Sequence, residues 1–303
     1  MSGQTILPEQ ERAWRSTWPK QRSALRRAFR RLLGTRQIVL GGSVILLLVL
    51  LAIFAPLLAP YEPEQFDAAR RLSVPGPLHW LGTDEFGRDI LTRIIFGTRL
   101  TLYVGLVAVG IGLGCGVSIG AIAAYVGGWV SGLLMRAIDL LYTFPDVLIA
   151  LGLVAFLGPS LTDAMVAVGI SVVPYYARVT YAIVLAERQK TYVDAAHVIG
   201  AGHIRVIVRH LLPNVVPPMI VVASLGFSAA VLSAAALSFL GLGAQPPAAE
   251  WGLMLATGRN YIAHAPWVVI APGMAIFVAV MAFNLLGDGI RDILDPRQRE
   301  STF

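Results

Sequence analysis

Residues 192–214 read YVDAAHVIGAGHIRVIVRHLLPN and lie between two long apolar runs. The apolar positions have helical spacing, but Gly200 and Gly202 interrupt them, and glycine is a poor helix former. The stretch is therefore predicted to form two short helices that meet at a bend, with Pro213 ending the second helix. It is too polar to cross a bilayer and too apolar to be a loose linker. The predicted helix pair therefore forms the connection between the two flanking apolar runs.

The second half of this stretch has a one-sided apolar stripe. Its members recur at spacings of three and four residues: Ile204, Ile207, Val208 and Leu211. Arg205 and Arg209 are four residues apart and share another face. An apolar face on a short surface helix needs a cover. The sequence leaves three candidates for that cover, namely the protein's own helices, the lipid interface or a partner protein.

The composition is typical of a membrane protein. Of 303 residues, 56% are hydrophobic and 14% are charged, whereas a soluble domain has about 25% charged residues. A helix needs about 20 apolar residues to cross the hydrocarbon core, and six segments meet that requirement. They are residues 38–59, 100–125, 136–157, 164–186, 215–240 and 265–287. The predicted fold class is therefore all-α and integral to the membrane, with six transmembrane helices.

The distribution of lysine and arginine predicts the orientation. Nine of them fall in residues 12–36, directly before the first apolar run. A basic arm can bind nucleic acid, but this position favours a cytoplasmic flank, where basic residues accumulate. With the N-terminus inside, the segments on that side hold seventeen of the 24 basic residues. Both termini (N-in/C-in) and residues 192–214 are therefore predicted to be cytoplasmic.

These assignments divide the chain into segments. The predicted segments are a basic cytoplasmic arm (1–37), a first span (38–60), an extracytoplasmic loop with an interfacial helix at 89–98 (61–99), a core of spans two to six (100–287), and a cytoplasmic tail (288–303). The core includes a cytoplasmic loop at 188–214 and an extracytoplasmic loop at 241–264.

Three charged residues fall within the predicted third and fourth spans: Asp139, Asp146 and Arg178. Charges at membrane depth are expensive and often functional. They are predicted mainly to pair with one another or to lie at the interface. Contact with a transported substrate and a proton relay are the two alternatives, and Pro145 predicts a kink beside Asp146.

Nucleotide hydrolysis by this chain is not expected. A phosphate-binding loop needs a lysine after a glycine-rich run, and neither Lys20 nor Lys190 follows one. His203 and His210 are seven residues apart, which is about 10 Å along a helix and too far for one metal ion. We therefore expect no cofactor and no metal in this chain, and any ATP and magnesium would be bound by another polypeptide.

The pattern DAA…G…HLLPN resembles the EAA loop of the membrane subunits of bacterial ATP-binding cassette (ABC) importers. It maps onto Asp194, Ala195, Ala196, Gly200 and the Leu212–Pro213 pair. Asp194 stands where the family usually has glutamate, which keeps the charge but shortens its reach. Three further segments resemble the C-type permease subunit of the dipeptide and oligopeptide branch. They are HWLGTDEFGRDILTRIIFGTR at 79–99, LSFLGLGAQPPAAEWGLML at 237–255 and FNLLGDGIRDILDP at 283–296.

This resemblance implies a type I importer permease in the bacterial inner membrane, with no catalytic activity of its own. The implied partners are a homologous permease subunit, two ATP-binding subunits, an extracytoplasmic solute-binding protein, membrane lipid and a peptide substrate, but no nucleic acid. The EAA loop would be a coupling helix that docks on an ATP-binding subunit. Its implied docking residues are Asp194, Ala195, Ala196, Gly200, Ile204, Arg205, Ile207, Val208, Leu211 and Pro213.

Two other classes of function remain open on the sequence. A secondary transporter would work alone and use Asp139, Asp146 and Arg178 to couple transport to an ion gradient. A membrane-bound enzyme would need a catalytic cluster near an interface. The histidines and the acidic residues Asp288 and Asp292 lack convergent spacing for that role.

Overall fold

The structure is a computed structural model that describes residues 35–294. The predicted basic arm therefore falls almost entirely outside the described residues, as does the tail beyond residue 294. Eleven α-helices run through the described part: α1 (Arg36–Leu58), α2 (Ile90–Val126), α3 (Gly128–Tyr142), α4 (Asp146–Leu157), α5 (Leu161–Ser171), α6 (Val173–Arg188), α7 (Thr191–Val198), α8 (His203–Val206), α9 (Leu212–Phe239), α10 (Trp251–Gly258) and α11 (Trp267–Leu294).

Five helical stretches within residues 35–294 are long and apolar enough to span a membrane. They are α1, α2, the joined α5–α6 unit, the unit from α8 to α9, and α11. The α3–α4 pair would make a sixth span, but it is bent by 89°. The all-helical fold and the count of five to six spans agree with the sequence prediction.

The predicted third span, residues 136–157, is not one straight helix. α3 ends at Tyr142 and α4 begins at Asp146. Pro145 accounts for the break, because its ring removes a backbone donor and disfavours the helical conformation at Phe144. The last residues of α2 and the first of α3 are joined through Gly127 and Gly128, both with positive φ.

α2 begins earlier than the sequence suggested. The interfacial helix expected at 89–98 forms the first turns of α2. The whole of α2 is 37 residues long and has no interruption. Asp89 starts it by accepting a hydrogen bond from the Thr92 N–H. A helix of this length is about 55 Å long, whereas the hydrocarbon core is about 30 Å thick. α2 therefore extends beyond the bilayer as a single rod.

Glycines allow α2 to pack closely against α6. A Cβ on Gly116 would lie 2.6 Å from the Tyr176 Cβ and 2.9 Å from the Val173 carbonyl oxygen. Gly112 and Gly120 also face this contact, whereas Gly110 and Gly114 have open space where a Cβ would be. The glycines of the second span therefore divide into a face packed within the bundle and an open face.

A buried arginine joins the two outer loops to the top of α2. The Arg93 guanidinium donates to the carbonyl oxygens of Pro63 at 3.0 Å, Pro247 at 3.3 Å and Ala248 at 2.9 Å. Its Nε lies 3.6 Å from an Asp84 carboxylate oxygen, which also accepts a hydrogen bond from Arg88. These contacts make the first and last outer loops one polar layer around a single side chain.

Tryptophans and a helix cap complete this outer layer. The buried Trp251 indole donates to the Ile94 carbonyl at 3.1 Å. Glu250 caps α10 by accepting from the N–H groups of Gly252 and Leu253. Burial raises the pKa of Glu250 above its usual value, although the two backbone hydrogen bonds oppose the shift. The outer loops are thus ordered by side chains that the helices supply.

We predict that Gly116→Ala destabilises the protein by about 1–3 kcal/mol, because the added methyl group would overpack the α2–α6 contact. Gly114→Ala is the matched control on the open face of the same helix. It should be neutral or slightly stabilising, since alanine favours a helix by about 1 kcal/mol over glycine. Thermal unfolding in detergent measures both. Equal melting temperatures for the two variants would contradict the assignment of the packed face.

Arg93→Met is predicted to cost about 3–5 kcal/mol of stability, because each buried polar group left without a partner costs about 1–3 kcal/mol. It removes one of the two arginines beside Asp84, although Arg88 still pairs with that carboxylate. The substitution also leaves three loop carbonyls without a donor. Arg259→Met is the control, because Arg259 is an exposed arginine near the last outer loop. A fluorescence-detected melting curve should show a large shift for Arg93→Met only, and similar shifts for both variants would rule out the proposed role of Arg93.

Candidate functional site: the helix pair at 191–206 and the charges of the predicted spans

Residues 192–214 contain the predicted helix pair. α7 and α8 are separated by residues 199–202, and Gly200 has φ of +83°, a conformation that suits glycine. Several side chains anchor the pair to the bundle by burial in its core: Val193, Ala196, Val206 and Leu211. The helix pair is therefore packed against the membrane helices through these buried side chains.

Part of its apolar surface stays uncovered in this chain. Val198, Ile199 and Ile204 are 87%, 83% and 79% exposed, and Val208 is also exposed. These four residues are called the exposed apolar set below. The predicted stripe is thus divided, since Leu211 is buried against the protein's own helices whereas Ile204 and Val208 are not. Val198 and Ile199 are not part of the predicted stripe, although they stand as two adjacent aliphatic residues directly before Gly200 in the sequence.

The charged residues of the loop are mostly at its surface. Asp194 lies in the first turn of α7, where a carboxylate interacts favourably with the helix dipole, and it is exposed. Ala195 and Arg205 are exposed as well. Ala196, in contrast, is 3% exposed. The implied docking residues therefore include both surface side chains and side chains of the core.

Pro213 does not end the second helix, so that prediction was wrong. Residues Ile207–Leu211 form one π-helical turn, in which the Leu212 N–H donates to the Ile207 carbonyl oxygen. The wider turn starts a new helical segment, α9, with Pro213 in its first turn, where a missing N–H costs little. The helical path consequently runs from His203 to Phe239.

Polar contacts tie the helix pair to the neighbouring membrane helices. The Tyr192 hydroxyl lies 2.9 Å from a Glu187 carboxylate oxygen, to which it donates. The Asn214 side chain donates to the Tyr192 oxygen at 3.1 Å and to the His210 carbonyl at 2.8 Å. Burial and the Glu187 carboxylate raise the pKa of Tyr192, so its hydroxyl keeps its proton. On the other side, Tyr125 of α2 hydrogen-bonds the His203 ring at 2.7 Å.

The three intramembrane charges do not form one group. Arg178 and Asp139 are joined by an ion pair of 2.9 Å, and the Arg178 guanidinium lies 5.0 Å from the centre of the Tyr142 ring. Asp146 stands apart at the start of α4, where its carboxylate accepts a hydrogen bond from the Val147 N–H. The pairing predicted for these residues therefore holds for two of them, and Asp146 has no ion pair within residues 35–294.

Comparison with known proteins defines the class of this one. Residues 116–300 match the family described as the binding-protein-dependent transport system inner membrane component. Residues 23–75 match the N-terminal transmembrane domain of oligopeptide transport permease C. The chain belongs to this family of inner-membrane permease components, and it is a multi-pass membrane protein.

Individual relatives cover nearly the whole chain. The dipeptide transport system permease protein DppC of Alkalihalophilus pseudofirmus is 45% identical over 91% of this chain and 91% of its own length. The di/tripeptide permease protein DppC of Pseudomonas aeruginosa is 45% identical over 86% of this chain and 89% of its own. The glutathione transport system permease protein GsiD of an Escherichia coli strain is 40% identical over 96% and 93%.

A solved structure shares the fold. A chain from the inward-facing MetNI methionine ABC transporter aligns with a TM-score of 0.58 at 17% identity. The aligned region covers 68% of this protein and 98% of the MetNI chain. The fold is therefore that of an ABC importer permease.

We predict that the Asp139–Arg178 pair is structural. The double variant Asp139→Asn with Arg178→Gln removes both charges and should retain ATP-driven uptake in vesicles, with stability lowered by at most about 1 kcal/mol for a half-exposed pair. Arg178→Gln alone leaves Asp139 unpaired and should be less stable than the double variant in detergent. Loss of uptake in the double variant, with normal assembly, would make the pair part of the transport mechanism.

Proposed function

We propose that this chain is the permease subunit of an ATP-driven importer of small peptides and that the helix pair at 188–214 transmits ATP-driven movement to it. The observation that carries the proposal is the exposed apolar set on a loop that is otherwise anchored in the core. Several exposed large aliphatic side chains close together on one loop are typical of a protein contact. Membership of a binding-protein-dependent transport family fits an ATP-binding partner at this contact.

The continuous helical path gives the contact a mechanical consequence. The exposed Ile204 lies on α8, and α8 leads through the π-helical turn into α9, which crosses the membrane. Tyr192 and Asn214 hold α7 against the start of the same helix. Movement of a partner bound at α7 and α8 would therefore be carried into α9 as a rigid displacement. This is the physical basis for alternating access in the proposed mechanism.

The remaining parts of the proposal concern the partners. ATP and magnesium would be bound by two separate ATP-binding subunits, and this chain would hold no cofactor and carry out no covalent chemistry. A homologous permease would complete the path, and an extracytoplasmic solute-binding protein would deliver the substrate. The N-in/C-in orientation expected from the basic residues would place the helix pair on the same side as the ATP-binding subunits. Asp194 and Arg205 would form exposed charge contacts at the rim of the docking surface.

A peptide substrate is supported by the relatives, which include dipeptide, di/tripeptide and glutathione permease proteins at 40–45% identity. A stand-alone ion-coupled transporter has less support. Its proposed coupling group would require Asp139, Asp146 and Arg178 to act together, whereas Arg178 is already neutralised by Asp139.

The docking contact is tested by co-purification from detergent-solubilised membranes. Ile204→Asp and Val198→Asp each place a charge in the exposed apolar set and should lose the ATP-binding subunits, with at least a tenfold drop in recovery for a hot-spot residue. Lys190→Gln is the control, because it lowers the charge of the same loop by one unit without removing apolar surface. Ala196→Asp is unsuitable, since Ala196 is buried in the core.

The control should co-purify with the ATP-binding subunits as the wild type does, and all variants should retain the wild-type melting temperature. If Ile204→Asp and Val198→Asp both keep the ATP-binding subunits bound, the helix pair is not the docking element. If the wild type purifies without ATP-binding subunits and transports solute without ATP, the importer proposal fails as a whole.

A further inference from the structure

An open cavity of about 370 Å³ lies beside the break between α3 and α4. Its walls come from the two ends of the break, from the junction of α5 with α6, and from α9. Residues 171–176 lie at the middle of the span that runs from 161 to 188. Leu225 and Gly226 lie near the middle of α9. The cavity therefore opens at mid-depth in the membrane.

The break explains why a cavity exists at this depth. The regular hydrogen-bond pattern of a helix is interrupted where α3 ends and α4 begins: the Phe144 N–H donates to the Leu141 carbonyl oxygen, and the Val147 N–H donates to the Asp146 side chain. Irregular backbone at membrane depth is tolerated where protein or a water-filled cavity covers it. The α3–α4 break borders this cavity through Tyr142, Phe144 and Asp146. Interrupted helices of this kind also supply binding groups in other membrane transporters.

The lining has one negative charge and no positive charge. Among residues 35–294, Asp146 is the single carboxylate in the wall, and no lysine, arginine or histidine of this part of the chain contributes to it. Its Oδ1 accepts from the Val147 N–H, and no cation pairs with it among residues 35–294. The nearby Arg178 is already neutralised by Asp139. An exposed carboxylate at mid-membrane without a counter-charge is costly, so a cationic ligand would stabilise it.

The rest of the wall suits an organic cation and not a metal ion. Four aromatic residues contribute to the lining: Tyr142, Phe144, Tyr175 and Tyr176. Aromatic ring faces attract ammonium groups, and an ammonium group donates three hydrogen bonds. A divalent metal ion needs several convergent ligands, and no cluster of three or more candidate metal ligands occurs in the described part of the chain. The cavity volume is also within the range of small-molecule sites.

We propose that Asp146 binds the α-ammonium group of the peptide as it passes through this cavity, and so selects substrates with a free amino terminus. The inference rests on the proposed function, because it supplies the substrate contact of that path. The peptide's carboxylate would have no cationic partner on this chain's cavity wall. This chain thus recognises the amino end of the substrate.

The test uses the complete importer in vesicles, with ATP inside and solute-binding protein saturated with radiolabelled alanyl-alanine outside. Asp146→Asn is expected to lower alanyl-alanine uptake per ATP hydrolysed by about tenfold or more, the loss expected on removing one partner of a charge-assisted hydrogen bond. Asp146→Glu keeps the charge and should retain most of the uptake. The double variant Asp139→Asn with Arg178→Gln is the matched control. It alters charges on α3 and α6, which also border the cavity, at positions outside the cavity wall.

Wild-type uptake from Asp146→Asn, or an equal loss in the double variant, would overturn the role of Asp146. Absence of ATP-driven alanyl-alanine uptake by the wild type would instead contradict the proposed function. If Asp146→Asn does not co-purify with its partners, Asp146→Ser replaces it, since serine can still accept from the Val147 N–H. The serine variant should show the same loss of uptake, and uptake at the wild-type level would again overturn the inference.

Discussion

The close contact of α2 with α6 is the constraint on which the rest of the molecule depends. Lipid gives the helices no hydrophobic reason to associate with one another, so close packing and a few polar contacts must hold the bundle together. Gly112 and Gly116 let the two backbones approach until α2 touches Tyr176. α2 also carries Arg93 at its outer end, and its Ala124 carbonyl accepts from Arg188 at its inner end. Near the same end, Tyr125 hydrogen-bonds His203 of the helix pair, so one rod connects the polar layer around Arg93 with that pair.

The cavity and the helix pair each lie beside a proline, but only one of the two prolines breaks its helix. At Pro145 the helix breaks, and the bend opens a cavity at mid-membrane with Asp146 on its wall. Just before Pro213 a π-helical turn lets the helical path continue, and α8 is joined to α9 without a break. A coupling element needs an unbroken path, since a loose hinge would absorb the movement of the partner.

The polar layer around Arg93 shows how buried polar groups can find hydrogen-bond partners. Arg93 satisfies three carbonyls from two loops that are far apart in the sequence, and Asp84 balances charge beside it. A planar guanidinium with five donors suits that task better than an ammonium group. The loops that contribute Pro63, Pro247 and Ala248 are therefore held in one arrangement by a single side chain of α2.

The sequence by itself determined the class of fold, the number of candidate spans and the bent helix pair, because these follow from local hydrophobicity, glycine and charge. It also grouped Asp139, Asp146 and Arg178 by their depth in the membrane. Only the tertiary structure decided that Asp139 pairs with Arg178 while Asp146 faces a cavity, since this depends on the 89° bend between helices. Tertiary packing likewise decided which apolar residues of the helix pair are exposed. Spacing identifies the face of a helix, but it does not show which part of that face its own neighbours cover.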